Sequence, residues 1–222
     1  MKKYPRTYHF QFSPEIKDDD KVISFKDLGN FLDEEIIITE KLDGGNTTLK
    51  PFIGIFARSH STPTSCETFD YIKNVHFFPK QHLMNETYEY CGENLFAIHS
   101  IEYENLKDYF YLFNIYDKKT NEWLSFDEVI LEANKLNFET VPILFKGKIE
   151  SISWLNKFLD DEIKKSSFVG GKREGFVVRI NKRIKDNEFQ KKIGKYVRKG
   201  HVQTDTHWSK NWKQALLNKE NK

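Results

Sequence analysis

Lys41 stands where a β-branched run, Ile36 to Thr39, meets a glycine turn in the stretch Glu40-Lys41-Leu42-Asp43-Gly44-Gly45. A lysine at a strand end, beside glycines that let a ligand approach the backbone closely, is placed to act as a nucleophile. Its amine attacks only when neutral. With a free pKa of about 10.4, less than roughly 0.1% is neutral at pH 7, so burial or neighbouring cations must pull the value down. Such cations are abundant near the other end of the chain. From Lys172 to Lys199 there are eleven Lys and Arg residues against Glu174, Asp186 and Glu188, a stretch suited to a polyanion or, on the plainer reading, a solvated basic face. Other chemistries find little support. Lys172 lacks the upstream glycine and downstream Ser/Thr of a phosphate-binding loop, and there is neither a His-Glu-x-x-His pair nor a Gly-x-Ser-x-Gly elbow. His201 and His207 make a weak metal pair, and the Trp208–Trp212 spacing reads as packing before base stacking.

The elements that must position Lys41 are mostly strands. Ile36 to Thr39, Thr47 to Lys50, Ile53 to Ala57, Phe96 to Ile101, Tyr109 to Tyr116 and Gly175 to Ile180 read as β-rich runs. Helical spacing at Phe126, Val129, Ile130, Ala133 and Leu136 follows Ser125, with Glu128 three residues on as a capping box. A second amphipathic helix is predicted from about Ser153 to Lys164, with Leu155, Phe158, Leu159 and Ile163 inward, and a third after Thr206. Strands and helices without βαβ alternation indicate an α+β fold with antiparallel or mixed sheets flanked by helices. With 222 residues, no repeat and no Gly/Ser/Pro linker, one domain over 1–222 is expected. No apolar run approaches a membrane span, and no apolar segment follows the basic amino terminus. Two cysteines, Cys66 and Cys91, without metal-ligand spacing suggest a reducing, cytoplasmic setting.

Six short stretches in order carry a resemblance that spans nearly the whole chain. They are Lys41-Leu42-Asp43-Gly44, Ala57-Arg58-Ser59, Cys91-Gly92-Glu93, Leu112-Phe113-Asn114-Ile115, Arg173-Glu174-Gly175-Phe176-Val177-Val178 and Lys195-Tyr196-Val197-Arg198. The sequence resembles the covalent nucleotidyltransferases: RNA ligases, DNA ligases and capping enzymes. The context Glu40 to Thr47 and the ending from Lys195 to Trp208 look most like nick-sealing and repair RNA ligases. The resemblance implies a nucleotidyltransferase (adenylation) domain with an ATP-grasp-like or DNA-ligase-like catalytic core, using ATP with Mg²⁺ or Mn²⁺. Lys41 would take AMP from ATP, pass it to a 5′-phosphate, and a 3′-hydroxyl would complete the phosphodiester, RNA being the favoured strand.

Each remaining role is likewise what the resemblance implies. Glu174 would hold the metal on the α-phosphate, a hard carboxylate oxygen suiting that ion. Lys195 and Arg198 would grip phosphates and keep Lys41 unprotonated. Arg58 would reach the ribose or a nucleic-acid phosphate, and Glu93 a sugar hydroxyl or the lysine itself. Phe113 would be the purine platform, Asn46 would position metal-bound water, and Glu40 would help to recognise adenine. Such ligases usually add a carboxyl-terminal OB barrel or helical module. Only 27 residues follow Lys195, so none is expected here and a separate protein would supply a clamp. The competing readings are a capping-type guanylyltransferase and a nucleic-acid-binding module without covalent chemistry, which the basic third alone would satisfy.

Overall fold

The run Ile36-Ile37-Ile38-Thr39 is extended, as branched side chains favour, and continues through Glu40 to Lys41 before the glycines turn the chain back. The computed structural model describes residues 3–58, 61–200 and 212–218. Among these the strands, in chain order, are β1 (Tyr8–His9), β2 (Ile36–Lys41), β3 (Gly45–Lys50), β4 (Gly54–Ala57), β5 (Tyr88–Asn94), β6 (Phe110–Asp117), β7 (Glu122–Trp123), β8 (Glu139–Thr140), β9 (Ile143–Gly147), β10 (Gly175–Ile180), β11 (Ile184–Lys185) and β12 (Ile193–Val197). A five-stranded sheet runs β1-β12-β10-β2-β9, antiparallel except for the parallel pair β1 and β12. A seven-stranded sheet runs β11-β7-β6-β5-β3-β4, with β8 parallel to β6 beside that path. The architecture is α+β with mixed sheets, as expected.

Alternation along the strands sorts the faces of the five-stranded sheet. Ile36, Ile38, Phe176 and Val178 belong to one apolar cluster with Leu155 and Leu159 of the helix Ile152–Glu162. Side chains one residue away must point the other way, so Thr39, Lys41, Val177 and Arg179 share the opposite face. A second cluster packs the helix Phe126–Leu136, through Val129, Ala133 and Leu136, with Tyr90, Leu112 and Ile115 of the seven-stranded sheet. The Ser125–Glu128 capping box forms as expected, and the second helix starts from Ser151, two residues before the predicted start.

Three expectations differ from the structure. Phe96 to Ile101 is not a strand, apart from a single bridge from Ala97 to Gln214. Its N–H groups go elsewhere: Phe96 N–H donates to the Asn94 amide oxygen, and those of Ser100 and Ile101 donate to Asp43 Oδ2 at 2.7 and 2.9 Å. The strand in this region is instead β5. No helix forms over 212–218, where Trp212 packs on Phe96 with ring centroids 5.6 Å apart. The rest of the third predicted helix, with His201, His207 and Trp208, lies outside the described residues. Finally, part of the basic stretch is paired with carboxylates of the protein: Lys182 with Glu34, Arg183 with Glu128, Lys192 with Glu188 and Arg173 with Glu162. No helix among the described residues is long and apolar enough to cross a membrane.

Candidate active site

Lys41 ends β2 opposite Gly175, the first residue of β10, and the residue before that glycine is Glu174. A Cβ at Gly175 would lie 2.1 Å from the Tyr196 carbonyl oxygen, so only glycine lets β10 and β12 pair here. That close pairing brings the lysine to the carboxylate. Lys41 Nζ donates to both oxygens of Glu174 at 2.7 Å. Burial pulls the ammonium down, but Glu174, with Glu93 and Asp43 behind it, outweighs burial and leaves Lys41 above the ordinary lysine value. The expected depression by neighbouring cations is therefore not found. The geometry is that of an ammonium paired with a carboxylate.

The two sheets face each other across a cavity of about 1190 Å³, with Lys41, Lys195 and Arg179 on one wall and Asn46, Glu93 and Phe113 on the other. Gly44 packs so closely on the Asn94 carbonyl that a Cβ would approach it to 2.5 Å. This contact carries the turn past β5, where Gly44 N–H donates to Glu93 Oε1 at 3.2 Å. Burial, beside the carboxylates of Glu174 and Asp43, pushes Glu93 up to about 8 despite the attraction of Lys41. Asn46 lies opposite Glu93 in the β3–β5 register, and its side-chain oxygen is buried with no partner among the described residues. A buried acceptor left open toward a cavity is a site for a ligand's donor.

Phe113 owes its place to an irregularity. Cys91 pairs with Asn114 but the next residue, Gly92, pairs with Leu112, so Phe113 is the extra residue of a β-bulge. A bulge breaks the alternation locally and lets both Phe113 and Asn114 line the cavity. Behind them Arg179, 2% exposed, donates to the Asn114 side-chain oxygen at 3.0 Å and to the Leu124 carbonyl. Burial lowers this guanidinium to about 10. Sequence reasoning gave neither Asn114 nor Arg179 a role in the site, although Asn114 lies within a stretch that carried the resemblance and Arg179 directly follows another.

Lys195 reaches the same cavity from β12. Burial draws its ammonium below the ordinary value, as does nearby Lys41, against the opposing pull of Asp20. Arg58 lines the cavity from the end of β4. Two expected residues are placed otherwise. Arg198, an odd number of residues beyond Lys195, does not line the cavity; its Nε donates to the Arg173 carbonyl at 2.9 Å. Glu40 borders the cavity, but alternation turns its fully buried carboxylate away from the Lys41 amine, where it accepts from Phe168 N–H at 3.1 Å and lies 3.9 Å from Arg173. In place of Arg198, the amino-terminal segment brings Arg6 and Asp20 to the cavity, with Tyr4 against Phe113 at 5.2 Å between centroids. Nothing in the types of these three residues marked them out in the sequence.

No group of three or more His, Cys, Asp or Glu side chains among the described residues could by itself hold a metal ion. The carboxylates of Glu174 and Glu93 suit an ion of another kind, one that takes a protein oxygen or two and completes its shell with phosphate and water. The cavity thus brings together a lysine amine, carboxylate oxygens, further basic side chains and an aromatic ring.

No curated protein matches the chain. Among solved structures, a mutant of the Naegleria gruberi RNA ligase with ATP and Mn superposes with a TM-score of 0.61 at 20% identity, over 90% of this chain and 59% of that one. The same organism's RNA ligase with pyrophosphate superposes with a TM-score of 0.57 at 19% identity, over 94% and 59% of the two chains. Another mutant, with AMP and Mn, gives 0.58 at 18% identity, over 90% and 59%. This chain therefore spans about three fifths of the length of the structures it matches. The profile of the family described as RNA ligase matches residues 34–197, from just before β2 to the last residue of β12. The chain belongs to the RNA ligase family.

Proposed function

We propose that this chain is an ATP-dependent RNA ligase that carries AMP on Lys41 and joins a 5′-phosphate to a 3′-hydroxyl. The observation that carries the reading is the Lys41–Glu174 pair at 2.7 Å in a cavity that also holds Lys195, Glu93, Asn46 and Phe113. Family membership and the likeness to ligase structures with ATP, AMP and Mn support it.

In this reading the Lys41 ammonium gives up its proton, for which Glu174 is the nearest acceptor, and the freed Nζ lone pair attacks the α-phosphorus of ATP. The N–P bond forms as the bond to the bridging oxygen breaks, and its electrons leave with pyrophosphate. Glu174, with Glu93, would hold Mg²⁺ or Mn²⁺; such an ion, when bound, neutralises charge on the α-phosphate. Phe113 supports the purine, Asn46 accepts a donor from the nucleotide or its water shell, and Arg58 contacts the ribose or the strand. Lys195 grips phosphate. AMP then passes to the 5′-phosphate and is released when the 3′-hydroxyl attacks. We read the described residues as one adenylyltransferase unit, working in a reducing compartment on the strength of Cys66 and Cys91, which form no disulfide.

The reading is tested by incubation with ATP labelled on the α-phosphate plus Mg²⁺ or Mn²⁺, followed by denaturing electrophoresis. Label on the wild type, lost in Lys41→Ala and not given by GTP, is the expected result. A folded, AMP-free protein that takes no label with either metal overturns it.

A further inference from the structure

Resting on this reading, the amino-terminal segment holds what the transfer step still needs. Once Lys41 attacks, a pyrophosphate carrying several negative charges must depart, and the side chains so far assigned give it only Lys195. The segment before β2 crosses the cavity mouth and contributes Arg6 and Asp20 to its lining. Asp20 Oδ1 is shared by two cations: Arg6 Nη2 at 3.1 Å and Lys195 Nζ at 3.6 Å. Arg6 also donates to Asp19 at 2.9 Å. The other oxygen of Asp20, Oδ2, accepts from Lys17 N–H at 3.1 Å and lies 3.3 Å from His9 Nε2.

The arrangement is built from below. His9 sits opposite Lys195 in the parallel β1–β12 register. The Ser13 hydroxyl oxygen accepts from Val197 N–H at 2.9 Å, so its own proton is free for His9 Nδ1 at 3.0 Å. His9 Nε2 faces Asp20 Oδ2 across 3.3 Å without completing a hydrogen bond. Burial, with Lys195 nearby, pulls His9 down to about 4, so it stays neutral and adds no competing charge. A carboxylate held by the Lys17 N–H thus organises two cations at the mouth of the cavity. A phosphate oxyanion would make the same contacts.

We propose that Arg6 and Lys195 form the site for the β- and γ-phosphates of ATP, and so for departing pyrophosphate, with Asp20 as the resident counter-ion that those phosphates displace. Arg6 is then a substrate-binding residue and Asp20 a positioning residue whose charge opposes the ligand it prepares for. The two must respond to substitution with opposite signs, which a merely structural segment would not do.

The test uses the full chain stripped of AMP. It measures the ATP concentration for half-maximal labelling of Lys41, the pyrophosphate concentration that removes AMP from the labelled protein, and the sealing of a strand already adenylated at its 5′ end. Arg6→Ala is expected to raise the ATP requirement about tenfold, with Arg6→Lys recovering most of it, as for one charge-assisted phosphate contact. Asp20→Asn is expected to lower the pyrophosphate requirement about fivefold. Sealing of the pre-adenylated strand, from which pyrophosphate has already gone, keeps its rate in Arg6→Ala within about twofold. An unchanged ATP requirement in Arg6→Ala, or impairment by both substitutions, overturns the proposal. Equal loss in the pre-adenylated reaction also overturns it and moves Arg6 to the strand's own phosphate. Wild-type protein that neither takes label nor seals the pre-adenylated strand sinks the ligase reading and the clamp together.

Discussion

Glu93 is the residue at which the needs of the site and of the fold diverge most plainly. Its folded value near 8, against an ordinary 4.5, means the folded chain binds this proton more tightly than the unfolded chain does. The stability it contributes is fully present below the ordinary value and is lost as pH rises through about 8. Glu93→Gln, neutral at every pH, is therefore expected to melt higher than wild type at pH 8, by roughly 2–4 °C for a chain of this size, and to match it more closely near pH 5. The same substitution should slow adenylation of Lys41 by about a hundredfold, because the carboxylate beside the nucleophile is gone. Differential scanning fluorimetry at the two pH values and single-turnover labelling check the pair. A variant that melts lower at pH 8 would refute the account of Glu93 as a strained carboxyl. Lys41 reports the same environment from the other side. Its neighbours are mostly carboxylates in the nucleotide-free state, so it waits as an ammonium.

At the scale of elements, the site depends on places where strands break their own rules. Gly175 lets β10 approach β12, the bulge at Phe113 turns two successive side chains into the cavity, and Gly44 lets the turn after β2 lie on β5. Gly175→Ala is expected to cost about 3 kcal/mol or more, since its Cβ meets backbone that has no rotamer by which to yield. Urea unfolding measures it, and labelling should fall with it as Glu174 leaves Lys41. Local signals in the sequence read well wherever one segment decides its own structure: the β-branched run before Lys41, the capping box of Ser125 and Glu128, and the strand Gly175 to Ile180. Reading failed where distant side chains decide. Asn94 and Asp43 take the N–H groups that would have made Phe96 to Ile101 a strand. Lys41, Glu174, Lys195, Glu93, Asn46, Arg58 and Phe113 were legible through motif order and do line one cavity or meet within it. Arg198 and Glu40 are turned from the Lys41 amine, Glu40 because neighbours along a strand do not share a face and Arg198 because it lies beyond the end of β12. Arg6, Tyr4 and Asp20 left no local trace, because a segment crossing from outside the motifs acquires its meaning only by folding.

At the scale of the molecule, part of the charge that composition suggested for nucleic-acid binding is matched by carboxylates of the protein itself. Lys182, Arg183 and Lys192 answer Glu34, Glu128 and Glu188, so their contribution to a polyanion surface is small. Lys182→Ala is accordingly expected to change RNA affinity by less than about twofold and to leave the salt slope of binding as it was, whereas a phosphate contact would flatten the slope by about 0.7 for a single strand. Filter binding across a salt series decides between them. The Lys41–Glu174 pair has a consequence on another timescale. Its members stand 133 residues apart, on strands that the growing chain delivers at different times. A nascent chain that has laid down β2 without β10 and β12 has the lysine but neither Glu174 nor Lys195, and on the proposed reading is not expected to take AMP. Synthesis itself would then act as the safety catch: Lys41 would be armed only when the last strands dock, and incomplete chains would stay chemically silent however much ATP surrounds them.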